Sequence, residues 1–326
     1  MPDLKHDCKI LIIGSGVFGI STALWLARSG YTGITVFDMQ DTLTTGYNPD
    51  KGVDSASADW NKIIRFSYGN EIEYQRLAFE AAGIWEEWNR QVAAAEVDDL
   101  PESLRDAPRK LWYNSGMLRV SATDVLGEFE EQTLRNMERE GIRKFQFSTD
   151  DAADVERARE AGWEHKLDPT RRKERLGGHH AVLDSTAGWV AAFRCCAWAQ
   201  HSARTEGVKF VLGKGEGEVV GIEEDGKQGG KPVVKTADGR EHDADLVIVA
   251  GGGWTPSLLP EVSDLLETTA GSVATIQIPK DRKDLWDKYA PENCPVISWG
   301  SHQGKDIYNF PRDEHGSIKI GYRHTK

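Results

Sequence analysis

The chain has 326 residues, and 52 acidic against 40 basic side chains give it a formal charge of −12. That balance excludes a polyanion as the main partner, because a nucleic-acid surface needs clustered cations to displace counterions; a mean hydropathy of −0.52 with no bilayer-length apolar run excludes a membrane-spanning helix. The length admits one large or two ordinary domains, and two interleaved domains, each burying its own core, are the expectation.

The N-terminal MPDLKHDCK meets the first strand almost at once, with no charged-then-apolar signal segment, which points to an intracellular protein. Lys9 to Ile13 reads as a buried parallel strand. Val17 to Ser29 reads as a helix with Ile20, Ala23, Leu24 and Ala27 at helical spacing, stopped by Gly30, and Ile34 to Phe37 as the second strand. The linking loop, GSGVFG, carries glycines at 14, 16 and 19. Gly14 permits the tight turn, Gly16 lets the backbone approach a pyrophosphate and Gly19 lets helix and strand pack closely, while the helix N-terminus faces the phosphate charge. Ser15, Val17 and Phe18 complete the loop as candidate cofactor contacts. Asp38 ends the second strand where it can accept hydrogen bonds from a ribose diol and disfavour a 2′-phosphate, with Met39 beside it. The pattern predicts dinucleotide binding, and by itself does not separate NAD from FAD.

An NAD-type domain continues directly with further helix and strand repeats. Here residues 39–59, MQDTLTTGYNPDKGVDSASAD, form instead a long small-residue loop of the kind that is usually functional. WNKIIRFSYGN follows, with Lys62 and Arg65 spaced i, i+3 among Ile63, Ile64 and Phe66, as expected for cations held against a buried surface. The next helix takes Asn70 as N-cap and Glu73 as capping-box partner, with Leu77, Ala81, Ile84, Trp85, Trp88 and Val92 along one face. Then come a hairpin strand in LWYNSGMLRV, a helix from Asp124 to Glu140, and GWVAAFRCCAWAQHSARTEGVKFVLG, read as a helix ended near Gly207 and a strand from Val208 to Leu212. GEVVGI, a polar turn DGKQGG, the Asp-Gly hairpin of VVKTADGREH and the buried run DLVIVAGGGW predict a small antiparallel sheet and a last parallel strand. A DEHG turn and a strand from Ser317 to Tyr322 follow YNFP. Cys8, Cys195, Cys196 and Cys294 show no metal-ligand spacing and read as reduced core thiols; His179 and His180 lack a third ligand for zinc, so no metal site is expected.

In this order GSGVFG, ASADWNKIIRFSYGNEIEY, GWVAAFR, VIVAGGGW and YNFPRDEHGSIKIGYR resemble the D-amino-acid-oxidase-like flavoproteins, in the branch of monomeric sarcosine oxidase, fungal fructosyl-amino-acid oxidases (amadoriases) and pipecolate or saccharopine oxidases. The resemblance implies an α/β architecture: an FAD/NAD(P)-binding domain of the glutathione-reductase-like Rossmann type interleaved with an α+β substrate domain. The expected segments are 1–85 and 181–260 for the FAD domain and 86–180 and 261–326 for the substrate domain. It implies FAD as cofactor. Gly14, Ser15, Gly16, Val17, Phe18, Gly19, Asp38, Met39, Ser57, Ala58, Asn61, Lys62, the backbone of Val219, and the turn Gly251, Gly252 and Gly253 would contact it. By the same likeness Lys62 takes the place of the basic residue beside the flavin ring and Arg65 that of the arginine holding the substrate carboxylate. Lys319 matches the lysine that helps dioxygen accept electrons, and Tyr308 falls on an aromatic lining the pocket. Lys62 and Lys319 are expected to converge on one flavin ring. Arg323 replaces a histidine of sarcosine oxidase, so substrate choice should differ.

Relatives continue beyond RHTK with the cysteine that links FAD covalently in many of them, a second lysine for the substrate carboxylate and a glycine-rich turn over the flavin. None of the four cysteines here matches the linkage position, and a truncated chain is the expectation. The implied activity is oxidation of an N-substituted or cyclic amino acid by hydride transfer from the C–N carbon to flavin N5, with dioxygen reoxidising the flavin to give hydrogen peroxide. The implied partners are a small amine and dioxygen, with no nucleic acid and no membrane, in a monomer of the cytoplasm or peroxisome. The alternatives are a non-catalytic FAD-binding form and an NAD-dependent dehydrogenase.

Overall fold

The computed structural model describes residues 4–224, 230–269, 271–300 and 305–324; the turn DGKQGG, apart from Gly230, lies outside them. The strands in chain order are β1 (Ile10–Ile13), β2 (Ile34–Asp38), β3 (Lys62–Ile64), β4 (Trp112–Tyr113), β5 (Met117–Val120), β6 (Gln146–Ser148), β7 (Ala181–Asp184), β8 (Gly188–Val190) and β9 (Lys209–Leu212). They continue with β10 (Val219–Glu224), β11 (Pro232–Thr236), β12 (Glu241–Asp243), β13 (Leu246–Val249), β14 (Val273–Gln277), β15 (Val296–Trp299), β16 (Lys305–Asn309) and β17 (Ser317–His324). The chain divides into two compact units, Met1–Asn61 with Ala94–Arg109 and Ala191–Thr269, and Lys62–Ala93 with Lys110–Val190 and Ala270–Lys326. It thus passes between them at 61/62, 93/94, 109/110, 190/191 and 269/270, against expected boundaries at 85/86, 180/181 and 260/261. The helix Ile72–Ala94 goes with the second unit because Asn89 accepts from the backbone N–H of Leu111 and of Trp112 and donates to the Trp112 carbonyl.

The first unit is built on a parallel sheet in the order β13-β1-β2-β9. All four residues of β1 are buried, as a strand with parallel neighbours on both sides requires. The helices Val17–Arg28 and Ala192–Thr205 belong to this unit, and the antiparallel sheet β10-β11-β12 adds Val234 and Ala244 to a core with Leu11, Ile13 and Phe37. The Asp-Gly turn of the sequence joins β11 to β12, with Gly239 at φ +86°. Gly14 stands at φ +104°, and a Cβ there would run into the Ala250 carbonyl; a Cβ on Gly19 would run into the carbonyl of Gly14 itself. The helix therefore packs directly on the turn that precedes it. The small-residue loop is partly ordered as short helical turns at Thr42–Thr45 and Pro49–Lys51.

The second unit carries a seven-stranded sheet, β14-β17-β16-β15-β5-β7-β6, and a three-stranded one, β3-β8-β4. LWYNSGMLRV is not a hairpin: β4 pairs with β8, whereas β5 pairs with β7 and β15. Asn114 Nδ2 donates to the carbonyls of Ser185 and Ala187, which ties the intervening turn to the β7–β8 connection and sends the two strands into different sheets. The helix begins one residue later than its capping signal: Asn70 gives only its carbonyl to Ile72 N–H, and Gln75 N–H bonds to the carbonyl of Glu71. Trp88 and Val92 are buried with Gln75, but Leu77 is 59% exposed. The register of the large sheet separates two faces. Leu118, Val120, Phe147, Ala181, Leu183 and Ile297 share one and form an apolar core with Ala158, Leu167 and Cys294. Met117, Arg119, Gln146, Ser148, Asp184, Ser298 and Tyr308 alternate with them and point the other way. All four cysteines are buried and none is in a disulfide.

Lys166 is buried below this sheet, its Nζ donating to the carbonyls of Ser115 and Pro291 at 2.9 Å each and lying over the Trp163 ring. Desolvation brings its ammonium down to about 8. With an unfolded value of about 10.4, the unfolded chain binds more protons than the native one between these limits. The penalty is full below pH 8 and relieved as pH rises through the window. In urea titrations the stability of the wild type relative to Lys166→Met should increase from pH 8 to pH 10; a flat difference would remove the assignment. Gly19→Ala should cost about 1–3 kcal/mol by overpacking against backbone, read in the same titrations, and an unchanged midpoint would mean the helix is free to shift.

Candidate functional site

Within the first unit the glycine turn sits at the C-terminal end of β1, where strand order reverses between β2 on one side and β13 on the other, the place where open parallel sheets bind ligands. A Cβ on Gly14 would lie 3.2 Å from Gly251 N, so the turn Gly251, Gly252 and Gly253 after β13 abuts the glycine loop. The helix Val17–Arg28 starts at Gly16 with no side-chain cap and no acid in its first turn. Ser57 Oγ accepts from Val17 N–H at 2.8 Å, and would meet a Cβ on Gly16 at 3.3 Å. Val17 and Phe18 are exposed at this end. A positive dipole end with no acid in its first helical turn fits a pyrophosphate.

Asp38 has two tasks here. Oδ2 accepts from Ser15 N at 2.6 Å and Ser15 Oγ at 2.9 Å, and Oδ1 accepts from Gln40 N at 2.7 Å. With two lone pairs per oxygen, Oδ1 keeps one acceptor position for a hydroxyl such as a ribose offers. A Cβ on Gly217 would strike the Asp38 carbonyl, so the chain entering β10 passes against the end of β2, and Val219 begins that strand two residues later. Met39 is half-buried, Ala58 N–H bonds to the Ser55 carbonyl and Asn61 is buried. Behind the loop lies a support that the sequence did not reveal. Tyr47 Oη donates to the Ser15 carbonyl at 2.7 Å, Ser15 Oγ meets Thr42 Oγ1 at 3.3 Å, and Gln200 Nε2 donates to Thr42 Oγ1 at 2.8 Å. Tyr47 is 1% exposed, stands at φ 59° and has its phenol pushed up by burial. Its only sequence signal is a position in the small-residue loop.

In the second unit the four candidate catalytic residues fall on two sheets. Lys62 starts β3 opposite Val190 and is exposed; Arg65 follows the strand, half-buried, with its guanidinium 4.8 Å over the Tyr68 ring. Lys319 lies on β17, 5% exposed, its Nζ 5.0 Å over the buried Phe310 ring. Tyr308 pairs with Gly321, and a Cβ at 321 would run into its ring, so glycine makes room for Tyr308 on the face that carries Lys319. The side chain of Arg323 lies outside the described residues.

Register extends this face as one row across four strands: Arg119 on β5 pairs with Ser298 on β15, Ser298 with Tyr308 on β16, and Tyr308 with Gly321. Arg119 was not singled out in the sequence, where a lone cation in the apolar strand MLRV is the signal. It is 5% exposed, donates to Ser67 Oγ at 2.5 Å and to Gln146 Oε1 at 3.4 Å, and has its Nε 3.8 Å from Glu130 Oε1. Burial pulls its pKa down, Asp184 and Glu130 oppose this, and Arg65 adds to it, so the two guanidinium groups sense each other. Arg65 and Arg119 line one cavity of about 330 Å³ with Ser298 and with Glu128, Phe129 and Glu130 at the start of the helix Glu128–Arg139. Among the described residues no group of three metal-ligating side chains occurs and no helix is long and apolar enough to cross a membrane.

Known proteins resemble this chain over most of its length. L-saccharopine oxidase of Schizosaccharomyces pombe is 26% identical over 296 residues, 88% of this chain and 59% of that protein. Amino acid oxidase imqH of Aspergillus flavus is 24% identical over 97% of this chain and 66% of its own length. The chain therefore spans less than two thirds of either relative. Among solved structures, fructosamine oxidase (Amadoriase II) of Aspergillus fumigatus in complex with FSA superimposes with a TM-score of 0.67 at 26% identity, over 98% of this chain and 64% of that one. A modified fructosyl peptide oxidase of Aspergillus nidulans gives 0.71 at 25%, over 98% and 65%. The profile of the family described as FAD dependent oxidoreductase (DAO) matches residues 9–326, and the chain belongs to that family.

Proposed function

We propose that the protein is an FAD-dependent oxidase of an N-substituted or cyclic amino acid, acting at a C–N bond with dioxygen as the final acceptor. The observation that carries this reading is the buried ammonium of Lys319 beside Phe310 and Tyr308, on a polar sheet face in a chain of an FAD-dependent family. Gly14, Gly16 and Gly19 with Ser57 would hold the pyrophosphate and Asp38 a ribose hydroxyl; Ser15, Val17, Phe18, Met39, Ala58, Asn61, Val219 and Gly251 to Gly253 would complete the contacts. FAD, when bound, supplies the two-electron acceptor for a carbon next to an amine nitrogen. Arg65 would fix a substrate carboxylate, Tyr308 would wall the pocket, and Lys62 would place positive charge beside the ring. Lys319 would offer fixed positive charge where dioxygen takes up electrons, a preorganised contribution worth more in a dry site than in water. In the net reaction one C–H and one N–H hydrogen leave the amine and pass to dioxygen as hydrogen peroxide, and water splits the remaining imine into a carbonyl compound and an amine. The same reading has the protein acting as a monomer on a small amine, in the cytoplasm or peroxisome; the net charge of −12 argues against a nucleic-acid partner.

The purified chain with FAD should be yellow, bleach anaerobically with one of sarcosine, pipecolate, saccharopine or a fructosyl amino acid, and release peroxide in air. Lys319→Met should bleach normally yet recover its colour in air about 10²–10³-fold more slowly. Bound flavin that none of these compounds bleaches would favour a non-catalytic FAD-binding form; recovery at the wild-type rate would take the oxygen role from Lys319.

A further inference from the structure

The loop 39–59, which the dinucleotide reading uses only at its ends, holds a buried phenol at its centre. The short helix Thr42–Thr45, N-capped by Asp41, ends in two consecutive left-handed residues, Gly46 at φ 60° and Tyr47 at φ 59°. A non-glycine residue in that region is strained, and such strain persists where the surroundings fix it and gathers at ligand clamps. The turn carries Tyr47, 1% exposed, back beneath the glycine loop, where its Oη donates to the Ser15 carbonyl at 2.7 Å. A phenylalanine would fill the same space without taking a hydroxyl out of water, so what the hydroxyl contributes is the bond it makes. Thr42 and Gln200, both buried, back the same residue from the helix Ala192–Thr205: Gln200 Nε2 donates to Thr42 Oγ1 at 2.8 Å, and Thr42 Oγ1 lies 3.3 Å from Ser15 Oγ.

The two peptide units that flank Ser15 are thereby fixed separately. Asp38 takes the N–H of the first at 2.6 Å, and the carbonyl of that unit, from Gly14, points onto the place a Cβ of Gly19 would occupy. Tyr47 takes the carbonyl of the second. In a planar trans peptide the N–H points opposite to the C=O, so the Gly16 N–H is turned away from the buried phenol. The N–H groups around it are spoken for: Gly14 bonds to the Phe37 carbonyl, Ser15 to Asp38 and Val17 to Ser57, whereas the Gly16 N–H has no partner among the described residues. We infer that Tyr47 is a positioning residue for the dinucleotide: by holding the Ser15 carbonyl it aims the Gly16 N–H at a phosphate oxygen of the cofactor. Gln200, acting through Thr42, is the more remote member of the same support. The inference rests on the FAD-binding part of the proposed function and is independent of the chemistry at Lys319.

The test uses the full chain labelled at serine carbonyl carbons and glycine nitrogens, so that NMR reports only Ser–Gly peptides; Ser29–Gly30 and Ser115–Gly116 are the internal controls. FAD should move the Gly16 amide resonance downfield and leave the two controls in place. Tyr47→Phe keeps the ring and loses the hydroxyl: FAD, followed by its flavin fluorescence, should bind about tenfold more weakly, and the Gly16 shift at saturation should shrink. Gln200→Leu should lose less in both readings. A structural role alone would lower the urea midpoint and leave FAD affinity and the Gly16 shift as in the wild type, and that result would overturn the inference; so would weaker binding with the Gly16 shift intact. Where circular dichroism shows that Tyr47→Phe does not fold, Gln200→Leu carries the test, and its equivalence to the wild type in both readings is the overturning result. Tyr47-dependent FAD binding without peroxide from any amine would uphold the positioning role and sink the oxidase reading. Peroxide release from a chain whose Gly16 amide does not respond to FAD would do the reverse.

Discussion

The nucleotide end of the molecule depends on one close approach, the carbonyl of Gly14 lying where a Cβ of Gly19 would be. That contact lets the first helix start on top of β1 and aims its N-terminus at whatever lies beyond the strand. The rest of the cradle is fitted to it. Asp38 takes both donors of Ser15, Tyr47 takes the Ser15 carbonyl, and Gln200 and Thr42 close the network from behind. A turn with one positive-φ glycine and a buried tyrosine in the same half of conformational space stores strain of about 1–3 kcal/mol at the non-glycine position. The buried hydrogen bond of Tyr47 is what keeps that conformation.

The seven-stranded sheet resolves a different problem, that of keeping charge close to a hydrophobic core. Alternation along each strand sends Leu118, Leu183 and Ile297 into the core and Arg119, Asp184 and Ser298 to the opposite side. A one-residue slip of β5 would exchange these sets and bury Arg119 among leucines, so the register of the core and the placement of the cation are one constraint. Isolated buried charges are expensive, and Arg119 is tolerable because Asp184, Glu130 and Ser67 surround it.

The parts legible in the sequence were those governed by local rules. The glycine loop, the first helix, β2 with its terminal acid, the downstream hairpin and the late parallel strand all follow from periodicity and turn chemistry, and each stands where the pattern put it. Distant pairings were not legible. LWYNSGMLRV has the composition of a hairpin, yet its halves enter separate sheets, and the side-chain amide of Asn114 and the N–H of Gly116 tie the turn between them to carbonyls some 70 residues away. Similarly Asn70 has the right chemistry for a cap, yet the helix starts beyond it. Lys319 and Tyr308 could be proposed from the family resemblance around Phe310, whereas the shared cavity of Arg119 and Glu130 emerges only when β5, β15 and the helix Glu128–Arg139 are brought together.

The order of strands in the parallel sheet also has a consequence for biosynthesis. β1 is made well before its partner β13, which pairs with it from Leu246 onward, with Lys9 and Asp245 joined at a separation of 236 residues. At elongation rates of about 5–20 residues per second, the N-terminal strand waits roughly 12–47 s for its second neighbour. Through that interval a fully apolar strand has one open edge, so the nascent chain is exposed to chaperone capture and mispairing before the nucleotide site can exist.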